Sequence, residues 1–130
     1  MPSATEHLER ARLNLAFAES IDLDGAHYLD WAVTAYFYAA LHLIDALAAH
    51  VDNQTPADHR DRKEHFLSRW YLCGIKTDYL NLKTHSQDAR YRLYPFTRIR
   101  IENVVVPLYQ AIERHVMQVF KDRTSSKETR

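Results

Sequence analysis

The sequence contains a single cysteine, Cys73, among its 130 residues. One cysteine excludes a disulfide framework within the chain, and no spacing of cysteine and histidine predicts a zinc site. We therefore expect neither a metal nor a cofactor. Such sparing use of cysteine makes a reducing, cytoplasmic setting the default expectation.

The sequence also lacks the marks of a secreted or membrane-spanning chain. The first residues, Met-Pro-Ser-Ala-Thr-Glu-His, are polar and acidic, whereas a signal peptide has a basic region followed by an apolar run. The most apolar run, residues 31–44, is shorter than the roughly 20 residues that a membrane span needs. We interpret this run as protein core and expect no membrane association.

No internal repeat, low-complexity region or sustained strand alternation is present, and the apolar residues instead follow helical spacing. Residues 27–45 are apolar or aromatic on nearly every face and contain neither glycine nor proline. Such a segment is typical of the central helix of a bundle, enclosed by other helices. Two polar residues, His42 and Asp45, lie within it, and buried polar groups need partners. We expect Asp45 to be the partner of His42.

The first two predicted helices are separated by an acidic turn. Ser3 and Glu6 form a capping box, which predicts a first helix of about 16 residues. Asp22 or Asp24 is the expected N-cap of the central helix, which we predict to end at about His50.

Three further helices complete the predicted fold. Thr55 as N-cap predicts a third helix over 56–72, and Thr77 can begin a fourth that stops before Pro95. Thr97 begins the last helix, and Pro107 either kinks it or moves its start to about Asn103. Whether residues 98–106 are helical stays open, because Ile99-Arg-Ile-Glu taken alone would suit a short strand, although the sequence offers no second strand to pair with it.

The expected architecture is an all-α, up-and-down bundle of about five helices around a long buried central helix. A single domain is expected over residues 1–121, and the polar residues 122–130 are expected to be a frayed tail.

Charge is unevenly distributed along the chain. Residues 1–58 contain two basic and nine acidic residues, a net charge of −7, whereas residues 59–100 contain ten basic and four acidic residues, a net charge of +6. The basic half could form a surface for phosphate groups, or the two halves could neutralise each other within the bundle or across a dimer.

The densest polar cluster, residues 57–65, could support metal-free RNA cleavage. His65 would accept the proton of the 2′-hydroxyl, and Arg60 would stabilise the charge that develops on the phosphate. Asp61, four residues before His65, would orient its imidazole, and Arg62 would support Arg60. The alternative is a solvated helix start with ion pairs between successive turns. Residues five apart on an ideal helix point about 140° away from each other, so Arg60 and His65 converge only if the helix is distorted or a second protomer completes the site.

Three segments in order resemble the HEPN superfamily over about residues 5–120. They are Trp31-Ala-Val-Thr-Ala-Tyr-Phe-Tyr-Ala-Ala-Leu-His42, the polar entry Asp58-His-Arg-Asp-Arg62, and Tyr79-x6-Ser86-x2-Ala89-Arg90-Tyr91. The resemblance implies a helical bundle, commonly dimeric, in toxin–antitoxin or defence systems. Active members are similar in an Arg-x4–6-His motif that cleaves RNA without metal, a spacing that Arg60 and His65 meet here.

The resemblance thus favours a metal-independent ribonuclease that forms a homodimer and is controlled by a cognate antitoxin. Many similar proteins lack nuclease activity, so a non-catalytic module that binds a nucleotide or a protein is the alternative. The positions expected to contact RNA or a nucleotide are the basic residues Lys63, Arg69, Arg90 and Arg92.

Overall fold

The computed structural model describes residues 1–25 and 27–128, with side chains through Thr124. The described residues form five helical segments and no strand, which confirms the predicted all-α bundle. Helix α1 spans Ala4–Ser20 and α2 spans Leu29–Asp52. Helix α3 is short, with an α-helical turn over His59–Asp61 and a π-helical turn over Arg62–Phe66.

The last two helices each begin with an irregular turn. A 3-10 turn over Cys73–Ile75 leads into α4, Lys76–Tyr91. Helix α5 begins at Arg98–Arg100, continues as a π-helical turn over Ile101–Val105 and then as an α-helix over Val106–Glu128. The strand alternative for 98–106 is therefore wrong.

Helix α2 is the buried centre of the bundle, as the sequence predicts. Helices α1, α4 and α5 all pack against it. Alanines at many of its positions, among them Ala32, Ala39 and Ala46, have no solvent exposure and let the neighbouring helices approach closely. Among the described residues α2 alone is long and apolar enough to cross a membrane, with a mean hydropathy of 1.4, and 83% of its most apolar window is buried in the bundle.

Several predicted helix starts are confirmed and others are wrong. Ser3 caps α1 in a complete capping box with Glu6, and the Thr97 hydroxyl accepts a hydrogen bond from the Arg100 N–H. Neither Asp22 nor Asp24 caps α2, because Asp22 accepts a hydrogen bond from the Asp24 N–H and Asp24 pairs with Arg98.

Helix α3 differs most from its prediction. Its N-cap is Asp58, not Thr55, and the helix ends at Phe66 rather than near residue 72. The Asp58 carboxylate accepts the Asp61 N–H, while the Asp61 carboxylate accepts the Ala57 N–H, so two side chains satisfy the helix start. Thr77 is likewise not a cap, since it lies inside α4.

The sequence left open whether Pro107 kinks the last helix or moves its start to about Asn103. In the structure α5 begins at Arg98 and continues through Pro107, so the start is not moved. The π-helical turn directly precedes the proline, and there the Val106 N–H bonds to the Ile101 carbonyl. A proline has no N–H to donate, and a wider turn is one way in which a helix absorbs such an interruption. The helix continues to Glu128, and residues 129–130 of the predicted frayed tail lie outside the described residues.

A candidate phosphate-binding site between helices α3 and α4

A buried ion pair anchors α3 to the central helix. The Arg62 Nε and Nη2 atoms donate to the two carboxylate oxygens of Asp45, each at 2.8 Å. Their side chains are 5% and 4% exposed. Burial opposes the charge on Arg62, but the bidentate bond to Asp45 raises the pKa of the guanidinium, so the pair stays ionised. The Arg62 guanidinium faces the core instead of the solvent.

The third nitrogen of Arg62 sets the orientation of His59. Arg62 Nη1 lies 3.2 Å from His59 Nδ1. A guanidinium can only donate, so Nδ1 must accept and the neutral imidazole carries its proton on Nε2. The ring lies 6.0 Å from the ring of Phe37. One face of His59 is thereby fixed against the core.

Further cations surround His59. Burial is the largest of the causes that lower the pKa of His59. The positive charges of Arg62, Lys83 and Arg90 lower this pKa further. Burial also lowers the pKa of Lys83, as do the charges of Lys63, Arg62 and Arg90. We call His59, Lys63, Lys83 and Arg90 the basic cluster.

No carboxylate among the described residues forms an ion pair with Lys63, Lys83 or Arg90 of the basic cluster, and Asp45, which acts on His59, is already paired with Arg62. Arg90 donates to the Tyr38 hydroxyl at 2.8 Å and to the Ser86 hydroxyl and carbonyl at 3.2 and 3.3 Å, all neutral acceptors. Neither Lys83 nor Lys63 forms an ion pair in the described part of the chain. An anion bound here would offset their mutual repulsion.

Aromatic rings lie directly beside the basic cluster. The Arg90 guanidinium carbon lies 5.0 Å from the centre of the Tyr91 ring and 5.4 Å from that of Tyr38. Tyr91 is 73% exposed, so one of its faces is free for stacking. A basic cluster next to an exposed aromatic ring is the arrangement by which proteins hold single-stranded nucleic acids.

The proposed catalytic pair, Arg60 and His65, lies on the exposed side of α3. Arg60 Nε donates to Glu64 at 3.0 Å, and His65 Nε2 lies 3.9 Å from the other oxygen of the same carboxylate. The Arg60–Glu64 pair joins successive turns of the helix, and the π-helical turn over Arg62–Phe66 begins two residues after Arg60. Both side chains approach Glu64, an acid that the sequence analysis did not single out.

The other predicted positions are divided between separate surfaces. Lys63 and Arg90 belong to the basic cluster, while Arg92 pairs with Asp88 at 2.7 Å. Arg69 bonds to Asp52 at 2.7 Å and stacks on Phe66 at 3.9 Å. Asp61 caps α3 and does not orient His65.

The histidine of the central helix has an unpredicted partner. His42 Nδ1 lies 3.1 Å from Nδ1 of His7 on α1, whereas Asp45 bonds to Arg62. The expectation that Asp45 holds His42 is therefore wrong. Burial and the neighbouring His7 lower the pKa of His42 to about 4, so the pair is held by a single shared proton.

Sequence reasoning missed His59 and Lys83. His59 was visible as one of several histidines, but nothing in the sequence showed that Arg62 would turn towards the core and fix it. Lys83 lies on α4 one or two turns before Ser86 and Arg90, on a helix that the sequence placed against α2. Within the described residues no group of three or more His, Cys, Asp or Glu side chains could hold a metal ion.

Comparisons with known proteins identify no relative. No protein family, curated protein or solved structure matches the chain.

Proposed function

We propose that this chain is a HEPN-like helical bundle whose basic cluster binds the phosphate groups of single-stranded RNA or of nucleotides. The observation that carries the proposal is the uncompensated charge around His59. Lys83 and Arg90 approach closely enough to lower the pKa of His59, yet neither pairs with a carboxylate in the described residues. A bound phosphate would supply the missing negative charge.

The buried Arg62–Asp45 pair supports this proposal by positioning the site. Because Arg62 is held by two hydrogen bonds to α2, it fixes α3 and His59 relative to α4. The neutral His59 can donate its Nε2 proton to a phosphate oxygen. Tyr91, next to Arg90, offers a face for a base.

Binding can be measured by the fluorescence anisotropy of a labelled single-stranded RNA at several salt concentrations. The logarithm of the affinity should fall linearly with the logarithm of salt, by about 0.7 per phosphate contact. Combined Lys83→Gln and Arg90→Gln substitutions should weaken binding at least about tenfold and flatten this slope. The matched control is Arg114→Gln with Lys121→Gln, two exposed cations on α5. Equal losses in both double variants would contradict the proposal.

Competition separates RNA from a free nucleotide, which share the same phosphate chemistry. A nucleoside monophosphate that displaces the RNA at concentrations near its own binding constant indicates a nucleotide site. Displacement only by oligonucleotides indicates an RNA site.

A second candidate function is metal-independent RNA cleavage, and the approach of both Arg60 and His65 to the same carboxylate, Glu64, favours it. An imidazole would accept the 2′-hydroxyl proton. The 2′ oxygen would then bond to phosphorus as the bond to the 5′ oxygen breaks, and the imidazolium just formed would return its proton to the 5′ oxygen as it leaves. The product is a 2′,3′-cyclic phosphate.

Cleavage in the presence of EDTA tests this candidate and identifies its histidine. His65→Ala and Arg60→Ala should each slow cleavage at least about a hundredfold. A loss of rate in His59→Ala alone would instead place the chemistry in the basic cluster. RNA binding without any cleavage would leave the chain as a binding module.

The resemblance to the HEPN superfamily also supports a proposal about the assembly, the partner and the location of this protein. We propose a cytoplasmic homodimer that works with a cognate antitoxin or another protein of a defence system. The exposed apolar side chain of Leu93, in the loop between α4 and α5, gives such a dimer a surface.

A further inference from the structure

A hollow lined by aromatic side chains lies between the end of α1 and the start of α2, remote in sequence from the basic cluster. Its volume is about 740 Å³, within the range of small-molecule sites. Phe17, Tyr28 and Trp31 line it and are 51%, 67% and 53% exposed. Large aromatic residues are seldom left this exposed together unless something covers them.

The charge around the hollow is negative. Asp22 lines it directly, and neither lysine nor arginine is among its described lining residues. Asp30, next to Trp31 in sequence, is exposed, as is Glu19 on α1. Arg98, which contacts this loop through Asp24, is also paired with Glu102.

Three aromatic rings and a carboxylate are the groups that recognise organic cations. The face of an aromatic ring carries partial negative charge and attracts a cation whose alkyl groups also exclude water. We propose that the hollow formed by Phe17, Asp22, Tyr28 and Trp31 binds a small soluble organic cation of the quaternary ammonium class.

The same charges disfavour a second copy of the chain as the occupant. A two-fold contact through this face would bring the acidic residues of both protomers, Asp22 and Asp30 of each, into one interface. Like charges facing each other across an interface oppose association. A positively charged ligand meets no such repulsion.

Choline and its neutral isostere 3,3-dimethylbutan-1-ol provide the test. Tryptophan fluorescence is followed in a Trp70→Phe background, where Trp31 is the one remaining tryptophan, and calorimetry repeats the titration on the unmodified chain. Choline should bind saturably, and the alcohol should bind at least about fivefold more weakly. Equal responses to choline and the alcohol, or no response to choline, would overturn the proposal.

Substitutions separate the contribution of the Asp22 charge to choline binding from the contribution of the aromatic side chains. Asp22→Asn should weaken choline binding without changing that of the alcohol, and Trp31→Leu should weaken choline at least about fivefold. Asp78→Asn on α4 is the control and should change neither. A dimer that is insensitive to choline and dissociates on Trp31→Glu would place a second copy in the hollow. Binding only to phosphatidylcholine vesicles would likewise overturn the assignment to a soluble ligand.

Discussion

At the scale of single residues, the interior of this bundle is organised by two polar pairs that reach α2. Arg62 and Asp45 form an ionised pair, and His7 and His42 share a proton. Both pairs are held away from water, so each depends on having both partners present. The charge state of these four residues therefore controls how firmly α1 and α3 are attached to the central helix.

Removing the charge of Asp45 should destabilise the protein strongly. Asp45→Asn leaves the buried Arg62 guanidinium without a counter-charge, which costs about 3–5 kcal/mol. Urea denaturation measures the loss. The control Asp52→Asn, which removes an ion pair with Arg69 that is about one-third exposed, should cost about 1 kcal/mol or less. Similar losses in the two variants would show that the Arg62–Asp45 pair is not a buried anchor.

Stability should fall as the pH drops below neutrality because of His42. The folded state holds the pKa of His42 at about 4, against 6.5 for an unperturbed histidine. Between these values the unfolded chain binds the extra proton, so the contribution of His42 is complete above about pH 6.5 and is lost as the pH falls towards 4. The loss amounts to up to about 3 kcal/mol.

Denaturation curves at several pH values check this dependence. His42→Gln should show a shallower fall in stability between pH 6.5 and 4, and the exposed control His65→Gln should keep the wild-type slope. An unchanged slope in His42→Gln would assign the acid sensitivity to other groups.

At the scale of elements, turns that depart from α-helical geometry place the candidate site residues. The π-helical turn in α3 begins at Arg62, whose guanidinium points to the core, while Arg60 and His65 approach Glu64 on the exposed side. The sequence showed the helix and its polar character, and it left two ways for Arg60 and His65 to converge, a distorted helix or a second protomer. It could not locate the π turn, because such turns are rare and no residue pattern in this segment marks one.

The complete burial of Ala39 on α2 makes a substitution there a direct test of the fold. Ala39 has no exposed surface, so Ala39→Asp would bury a charge without a partner and should cost more than about 4 kcal/mol. Thermal unfolding followed by circular dichroism measures it. Ala16→Asp, at an exposed position of α1, should leave the melting temperature nearly unchanged. An unchanged melting temperature in Ala39→Asp would contradict a central helix that is enclosed by its neighbours.

At the scale of the whole molecule, the basic cluster lies on α3 and α4, and the hollow that contains Asp22 lies between α1 and α2. The apolar pattern of α2, α4 and α5 was sufficient to predict the bundle, because burial of those faces determines it. The division of charge was also visible in the sequence. The sequence did not reveal which cations share one surface, because Arg69 and Arg92 are neutralised by Asp52 and Asp88 while Lys83 and Arg90 are not.

Self-association should occur through the loop between α4 and α5. Leu93 in this loop and Ile99 in the first turn of α5 are each more than 70% exposed, an apolar surface that a second copy could cover. Light scattering should give about twice the chain mass of 15.3 kDa. Leu93→Asp should yield a monomer, whereas Met117→Asp on α5 should not. A monomeric unmodified chain at tens of micromolar would exclude the homodimer and with it a shared catalytic site.

The titration of His59 by NMR tests the central claim most directly, because His59 senses every charge in the basic cluster. In the free protein its pKa should lie below 6.5, as burial and the neighbouring cations require. Saturation with single-stranded RNA should raise that pKa, since the bound phosphate offsets the charges of Lys83 and Arg90. In the Lys83→Gln/Arg90→Gln variant the free pKa should be higher and RNA should no longer move it. A His59 pKa that is the same with and without RNA would contradict the phosphate site.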